Sequence, residues 1–281
     1  MKILMTGSTG FIGSRLVPML EASNYDIFHL VRSKKGFQHE FVWDFSGSLP
    51  QNISSCDIVI HLAADVSISS KLNASQYLIN SISTAKLVKY CKDKGAFFIL
   101  ASSIAVHENS SHICEKTLIA PKSNYAMSKL LAEEIVKTFL HKAAILRIGG
   151  VYGLDGPSHL LLNSAISNAH YQKKAPVLKG LGYDLRNYIC VEDVAHWIFC
   201  LVRDINEREK SNDIGKVDIL YLAGDEVTSI GQYLNTIMEV LLPGEKLVQM
   251  EGTESSDCVV KTSPAPFSLT TFREYLVRLK N

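Results

Sequence analysis

The sequence predicts an α/β fold built on a doubly wound parallel sheet, and three observations predict it. Short apolar runs alternate with helical stretches of about 10–20 residues, the pattern of successive strand–helix–strand units. The run Asp57–Leu62 is nearly all apolar, as a strand covered on both faces must be. The first strand-like run, Lys2–Thr6, leads through Gly7, Gly10 and Gly13, spaced by three, into a helical pattern that continues to Leu20.

Composition agrees with this and removes other classes. The chain has 281 residues, 47% hydrophobic and 20% charged, with a net charge of +1, enough for one large α/β domain with a sizeable core. Near-neutral charge argues against nucleic acid, whose phosphates select strongly basic surfaces. No apolar run approaches the roughly 18 residues that cross a bilayer. The apolar start is cut by Gly7 and has neither a basic leader nor a small-residue cleavage site, so a cytoplasmic protein is expected. Six cysteines without a C-x-x-C pair read as reduced thiols. His107, His112, Cys114 and Glu115 crowd one loop, but their spacing fits no common metal motif and no metal is expected.

Taken in order, Lys2–Thr6 is the first strand, and the glycine turn opens the first helix. Asp26–Val31 is the second strand, Glu40–Asp44 a short third and Asp57–Leu62 a fourth, running into the small residues Ala63 and Ala64. The spacing of Tyr77, Ile79, Ile82, Leu87, Val88 and Tyr90 predicts a helix over Asn73–Lys94, stopped by Gly95. Ala96–Ala101 is a fifth strand closing on Ser102 and Ser103; Asn124–Leu140 is a helix with Pro121 and Ser123 as start signals; Ala143–Ile148 is a sixth strand. Gly149, Gly150, Gly153, Gly156 and Pro157 then make a loop, followed by a helix near His159–His170. Leu185–Val191 reads as a strand, Glu192–Val202 as a helix, Ile219–Ala223 as a strand, and the tail after Gly224 as helix, strand and helix. Residues 1–150, joined by 186–223, are expected to form a dinucleotide-binding domain, and 151–185 with 224–281 a small C-terminal substrate-binding subdomain.

The glycine turn points to a pyrophosphate. A helix N-terminus offers converging N–H groups and the positive end of its dipole. Gly7 turns the chain, Gly10 admits close backbone approach, and Gly13 lets helix and strand pack tightly. At the end of the second strand an acid would bond a free ribose 2′-hydroxyl, whereas arginine accommodates a 2′-phosphate. Arg32 stands there, with Lys34 and Lys35 beyond it, so NADP(H) is expected ahead of NAD(H). Asp44 lies where an adenine contact forms, and Ala63 and Ala64 leave room for a cofactor.

Tyr125 and Lys129 lie four apart and share a helix face. An ammonium beside a phenol stabilises the phenolate, which predicts a lowered Tyr125 pKa and an acid–base group. Ser103 ends a strand at the C-terminal edge of the sheet, where ligands of open α/β folds bind, and is placed to hydrogen-bond the same substrate oxygen.

These motifs together resemble the extended short-chain dehydrogenase/reductases of the NAD-dependent epimerase/dehydratase family, a Rossmann-type fold acting mainly on nucleotide-activated sugars. The resemblance is carried by Thr6-Gly-Ser-Thr-Gly-Phe-Ile-Gly13, His61-Leu-Ala-Ala64, Asn80, Ser102-Ser103-Ile-Ala-Val106, Tyr125-Ala-Met-Ser-Lys129, Arg147-Ile-Gly-Gly-Val-Tyr-Gly153 and Arg186-Asn-Tyr-Ile-Cys-Val-Glu-Asp-Val-Ala195. It implies Ser103, Tyr125 and Lys129 as catalytic residues. It implies cofactor contacts at Gly7, Thr9, Gly10, Phe11, Ile12, Arg32, Asp44, Leu62, Ala63, Ala64 and Asn80, and with Tyr125 and Lys129. Substrate contacts are implied at Ser102, Ser103, Tyr152 and Arg186. Where the family's dehydratases carry an acidic pair after the serine, this chain has Ile104 and Ala105, which transfer no proton. Ile104 also replaces the cysteine of members that epimerise beside the ketone. The expected reaction is NADP(H)-dependent reduction of a nucleotide-linked 4-keto sugar, with a 4-epimerase holding NAD, or a non-catalytic NADP(H) sensor, as alternatives. A homodimer through the two long helices is also implied.

Overall fold

The computed structural model describes residues 1–67, 71–211, 217–252 and 256–281, without the side chains of 206–211. A seven-stranded central sheet is formed by β1 (Lys2–Thr6), β2 (Asp26–Val31), β3 (Glu40–Val42), β4 (Ile58–His61), β5 (Phe97–Ser103), β6 (Ala143–Ile148) and β7 (Val217–Leu222). Their order across the sheet is β7-β6-β5-β4-β1-β2-β3. The strands are parallel, and the order reverses between β1 and β4, so the fold is the doubly wound α/β class expected. Ile3, Leu4, Ile60, Phe98, Leu100 and Ile145 are fully buried, which is why the central strands read as continuous apolar runs.

The chain divides into two compact units. The first comprises Met1–Glu108, Ile119–Ile148 and Ala195–Leu220, and the second Asn109–Leu118, Gly149–Val194 and Tyr221–Asn281. In the first, α1 (Gly13–Ala22), α2 (Ser83–Lys94) and α3 (Asn124–Phe139) accompany the strands. The Ser123 side chain caps α3 by accepting from Ala126 N at 3.1 Å.

The helix expected over Asn73–Lys94 is continuous from Ala74 to Lys94 but changes pitch along its length. A helical turn at Ala74–Tyr77 widens into a π-helix at Leu78–Ile82 before α2 begins. Widening frees carbonyls from the ordinary ladder, and local hydroxyls collect them. Ser83 Oγ donates to Ile79 O and Thr84 Oγ1 to Asn80 O at 2.8 Å. Periodicity cannot show this change, because it leaves the apolar face in place.

The second unit holds α4 (Leu161–Gln172), the first turn of α5 (Val191–Ser211), which from Ala195 belongs to the first unit, α6 (Ile230–Leu241) and α7 (Phe272–Lys280). Ser229 with Gln232, and Thr271 with Glu274, form capping boxes that start α6 and α7. The core here includes Tyr152, Ile166, Tyr233, Ile237 and Leu276. The strand expected over Leu185–Val191 is two short ones. Leu185–Arg186 pairs with Thr228–Ser229, and Ile189–Cys190 with Val151–Tyr152. Asn187 causes the break, since its side-chain amide donates to Gly224 O and Val260 O and accepts from Val260 N. Val191 already belongs to α5, whose first turn carries Glu192 and Asp193, favourable at the positive end of a helix dipole.

Candidate active site

The glycine turn is a tight joint. Gly7 has φ +75°, and a Cβ there would lie 2.7 Å from Ala63 N at the end of β4. A Cβ on Gly13 would stand 2.0 Å from Gly7 O, so α1 lies against the turn as only glycine permits. α1 starts after Ile12 without any side-chain cap. Its first N–H groups and dipole are therefore offered beside a backbone cradle, with Thr9 and Gly10 exposed and Phe11 and Ile12 half-buried. Leu62, Ala63 and Ala64 line the neighbouring end of β4, also half-buried. These features fit a dinucleotide pyrophosphate. Gly13→Ala is accordingly expected to cost about 1–3 kcal/mol of stability by overpacking, seen as a lowered melting temperature, and to weaken dinucleotide binding.

Arg32 is exposed immediately after β2. Burial raises the Asp65 carboxyl, but hydrogen bonds from Ser67 and Ser75 together with the Arg32 charge hold it below its usual range. Asp44 is turned on its own loop: its carboxylate accepts from Ser46 N at 2.9 Å and Ser46 Oγ at 2.7 Å. These bonds hold its pKa low. Lys86 Nζ donates to the carbonyls of Phe45, Ser46 and Gly47 at 2.8, 2.7 and 2.8 Å and fixes the same loop.

Ser103, Tyr125 and Lys129 come together. Ser103 closes β5 and caps a short 3-10 turn, accepting from Ala105 N at 3.2 Å, while its hydroxyl hydrogen-bonds Tyr125. Lys129 lies one turn along α3, buried, its Nζ donating to Ala101 O at 2.8 Å and standing 5.9 Å from the Tyr125 ring centroid. The expectation of a lowered Tyr125 pKa is not met. Burial raises it, the Ser103 hydrogen bond opposes only in part, and the Lys129 ammonium is committed to the β5 carbonyl instead of the phenol. Burial also lowers Lys129 to about 8, against the attraction of Glu133.

A buried polar frame surrounds the trio. Ala63 N donates to Thr6 Oγ1 at 3.2 Å, and Thr6 Oγ1 meets His61 Nδ1 at 2.6 Å, while Ser83 Oγ lies 3.1 Å from His61 Nε2. Burial, with the Lys129 charge adding to it, holds His61 down at about 3, so the ring is neutral. Asn80, in the π-helix, accepts from Asp65 N at 2.8 Å and donates to Asp65 O at 3.0 Å and Ser128 Oγ at 2.9 Å. Its amide therefore braces the loop after β4 and α3.

Two of the expected substrate contacts, Ser102 and Tyr152, have buried partners within the protein. Strand alternation turns Ser102 away from Ser103, and its buried hydroxyl donates to Glu133 Oε1 at 2.5 Å. Glu133 pairs with Arg147 at 2.7 Å, and Arg147 Nη1 reaches His107 Nε2 at 3.2 Å. Tyr152 is a core residue of the second unit, edge-on to Phe272 and Tyr275, its hydroxyl donating to Thr270 O at 3.2 Å. Apolar packing accounts for a large aromatic there. Arg186, also in the second unit, is half-buried and donates to Leu185 O at 2.7 Å. Glu133 was not singled out by sequence. Its signal was its spacing, four residues beyond Lys129 on the face Tyr125 already marks.

Comparison with known proteins agrees with this geometry. The model of the NAD dependent epimerase/dehydratase family matches residues 3–215. A putative UDP-glucose 4-epimerase of Methanocaldococcus jannaschii is 28% identical over 215 residues, covering 69% of this chain and 70% of its own. The GDP-6-deoxy-D-talose 4-dehydrogenase of Aggregatibacter actinomycetemcomitans is 26% identical, covering 75% of this chain and 74% of its own. Among solved structures, the UDP-glucuronic acid 4-epimerase of Bacillus cereus in complex with NAD superposes with a TM-score of 0.79 at 23% identity, over 99% of this chain and 94% of its own. With the glycine turn, the parallel sheet and the Ser103–Tyr125–Lys129 trio in place, the chain belongs to the NAD dependent epimerase/dehydratase family.

Proposed function

We propose that this protein reduces a nucleotide-linked 4-keto sugar with NADPH. The observation that carries the reading is the junction of Ser103, Tyr125 and Lys129 at the end of β5. When bound, the nicotinamide supplies the hydride. Tyr125 donates the proton to the substrate oxygen, and its raised pKa leaves the phenol protonated at neutral pH, the form a reduction starts from. Ser103 orients that oxygen and stabilises its developing charge, and Lys129 holds the nicotinamide ribose. Gly7, Thr9, Gly10, Phe11 and Ile12 take the pyrophosphate, with Leu62, Ala63 and Ala64 beside it. Asn80 acts by bracing this region. The segments 151–185 and 224–281, with Arg186, take the nucleotide sugar. The exposed apolar side chains Ile82, Met127, Leu131 and Phe139 suit a homodimer through the helices that carry them. Among the described residues no helix is long and apolar enough to cross a membrane.

Arg32 supports the choice of cofactor, because an exposed guanidinium at the end of β2 suits a 2′-phosphate. NADPH is expected to bind more tightly than NADH, and Arg32→Asp to reverse the order. Equal affinities in titrations of the unaltered protein would refute this. A second reading, a nucleotide-sugar 4-epimerase keeping NAD bound through each cycle, is favoured by the likeness to the Methanocaldococcus jannaschii putative 4-epimerase and by the NAD in the Bacillus cereus 4-epimerase structure. Cofactor content separates the two. A reductase is expected to purify with little dinucleotide and to oxidise added NADPH stoichiometrically with a 4-keto nucleotide sugar. Bound NAD, with epimers interconverted without added cofactor, establishes the epimerase.

A further inference from the structure

Two further buried charges accompany Lys129 in the first unit, Glu133 one helical turn along α3 and Arg147 on β6. Glu133 is fully buried, Arg147 is 4% exposed and Ser102 3% exposed. Arg147 holds the carboxylate with Nε at 3.1 Å from Oε1 and Nη2 at 2.7 Å from Oε2, and Ser102 adds a third donor at 2.5 Å. Ser102 and Arg147 are register partners on β5 and β6, so the clamp is anchored in the sheet. Lys129 and Glu133 both project from α3 onto β5, Lys129 to the Ala101 carbonyl and Glu133 to the adjacent Ser102. A buried ion pair contributes little net stability against an apolar pair of equal volume, so stability alone gives weak reason for it.

We propose that Glu133 is a positioning residue for Lys129: the clamp from Ser102 and Arg147 fixes a carboxylate one helical turn from the buried ammonium, on the same side of α3, keeping Lys129 charged and directed at the end of β5. The groups facing Lys129 support this. β5 presents a carbonyl, β4 the neutral His61, α3 the phenol of Tyr125 and the Glu133 carboxylate, and β6 presents Arg147 behind Glu133. Among these groups Glu133 is the anion that offsets the desolvation of Lys129. The role of Lys129 toward a ribose rests on the function proposed above; its coupling to Glu133 does not.

The test is therefore made on cofactor-free protein, by NMR titration of lysine carrying a carbon-13 label at Cε, with Lys129→Met used only to assign the signal. In the unaltered protein Lys129 is expected to titrate near 8. In Glu133→Gln the midpoint should fall by about one pH unit. That variant takes the carboxylate from Arg147 and is prone to unfolding, so the deciding protein is the double variant Glu133→Leu with Arg147→Met, which removes both charges at similar volume. A lower Lys129 midpoint in the folded double variant supports the inference. An unchanged midpoint, or a double variant that does not fold, overturns it, because the pair then serves the fold alone. Substrate turnover plays no part in this readout, so a wrong substrate class leaves the result standing.

Discussion

Replacing Tyr125 by phenylalanine is expected to lower kcat by roughly 10²–10⁴-fold while leaving dinucleotide affinity almost unchanged. The ring, its packing and its place on α3 survive the change, and only the hydroxyl that meets Ser103 is lost. Ser103 does not take over, since an aliphatic hydroxyl is a weaker acid than a phenol. Lys129 does not replace the phenol either, because its ammonium donates to the Ala101 carbonyl and lies 5.9 Å from the Tyr125 ring centroid. A Tyr125→Phe protein with near-normal turnover would remove Tyr125 from the chemistry.

The largest stability effect is expected at Arg147→Met. The substitution keeps much of the side-chain volume but strips the fully buried Glu133 of its charged partner, leaving the Ser102 hydroxyl as a donor. Breaking one side of a buried pair costs about 3–5 kcal/mol. Equilibrium unfolding in urea should show that loss as a lower midpoint at similar slope. A loss below about 1 kcal/mol would mean that water or a rearranged side chain satisfies Glu133.

What the sequence disclosed and what it withheld divide along a physical line. Features imposed by local geometry were legible. Gly7 and Gly13 stand where a Cβ meets backbone, and the apolar runs of β1, β4, β5 and β6 follow from burial on both faces. The shared helix face of Tyr125 and Lys129 follows from helical spacing. Features set by tertiary partners were not. Ser102 and Ser103 are adjacent and chemically identical, yet alternation sends one to Glu133 and the other to Tyr125. Tyr152 stands in a motif near the expected substrate region, but its ring is taken by Phe272 and Tyr275 from the far end of the chain. Asn187 looked like one more strand residue, and its amide bonds to Gly224 and Val260 divide the strand in two. The direction of the Lys129 ammonium depends on a carbonyl of β5, and the raised Tyr125 pKa on burial, and helical spacing reveals neither.

The most direct measurement follows the hydride itself. NADPH carrying deuterium at the transferred position of the nicotinamide is incubated with the protein and a 4-keto nucleotide sugar, and the product is analysed by mass spectrometry. Reduction at the trio of Ser103, Tyr125 and Lys129 predicts a single deuterium at C4 of the sugar, and its loss with Tyr125→Phe. A product that interconverts with its epimer and carries no deuterium from the added cofactor would contradict the reductase and leave hydride exchange with a permanently bound dinucleotide in its place.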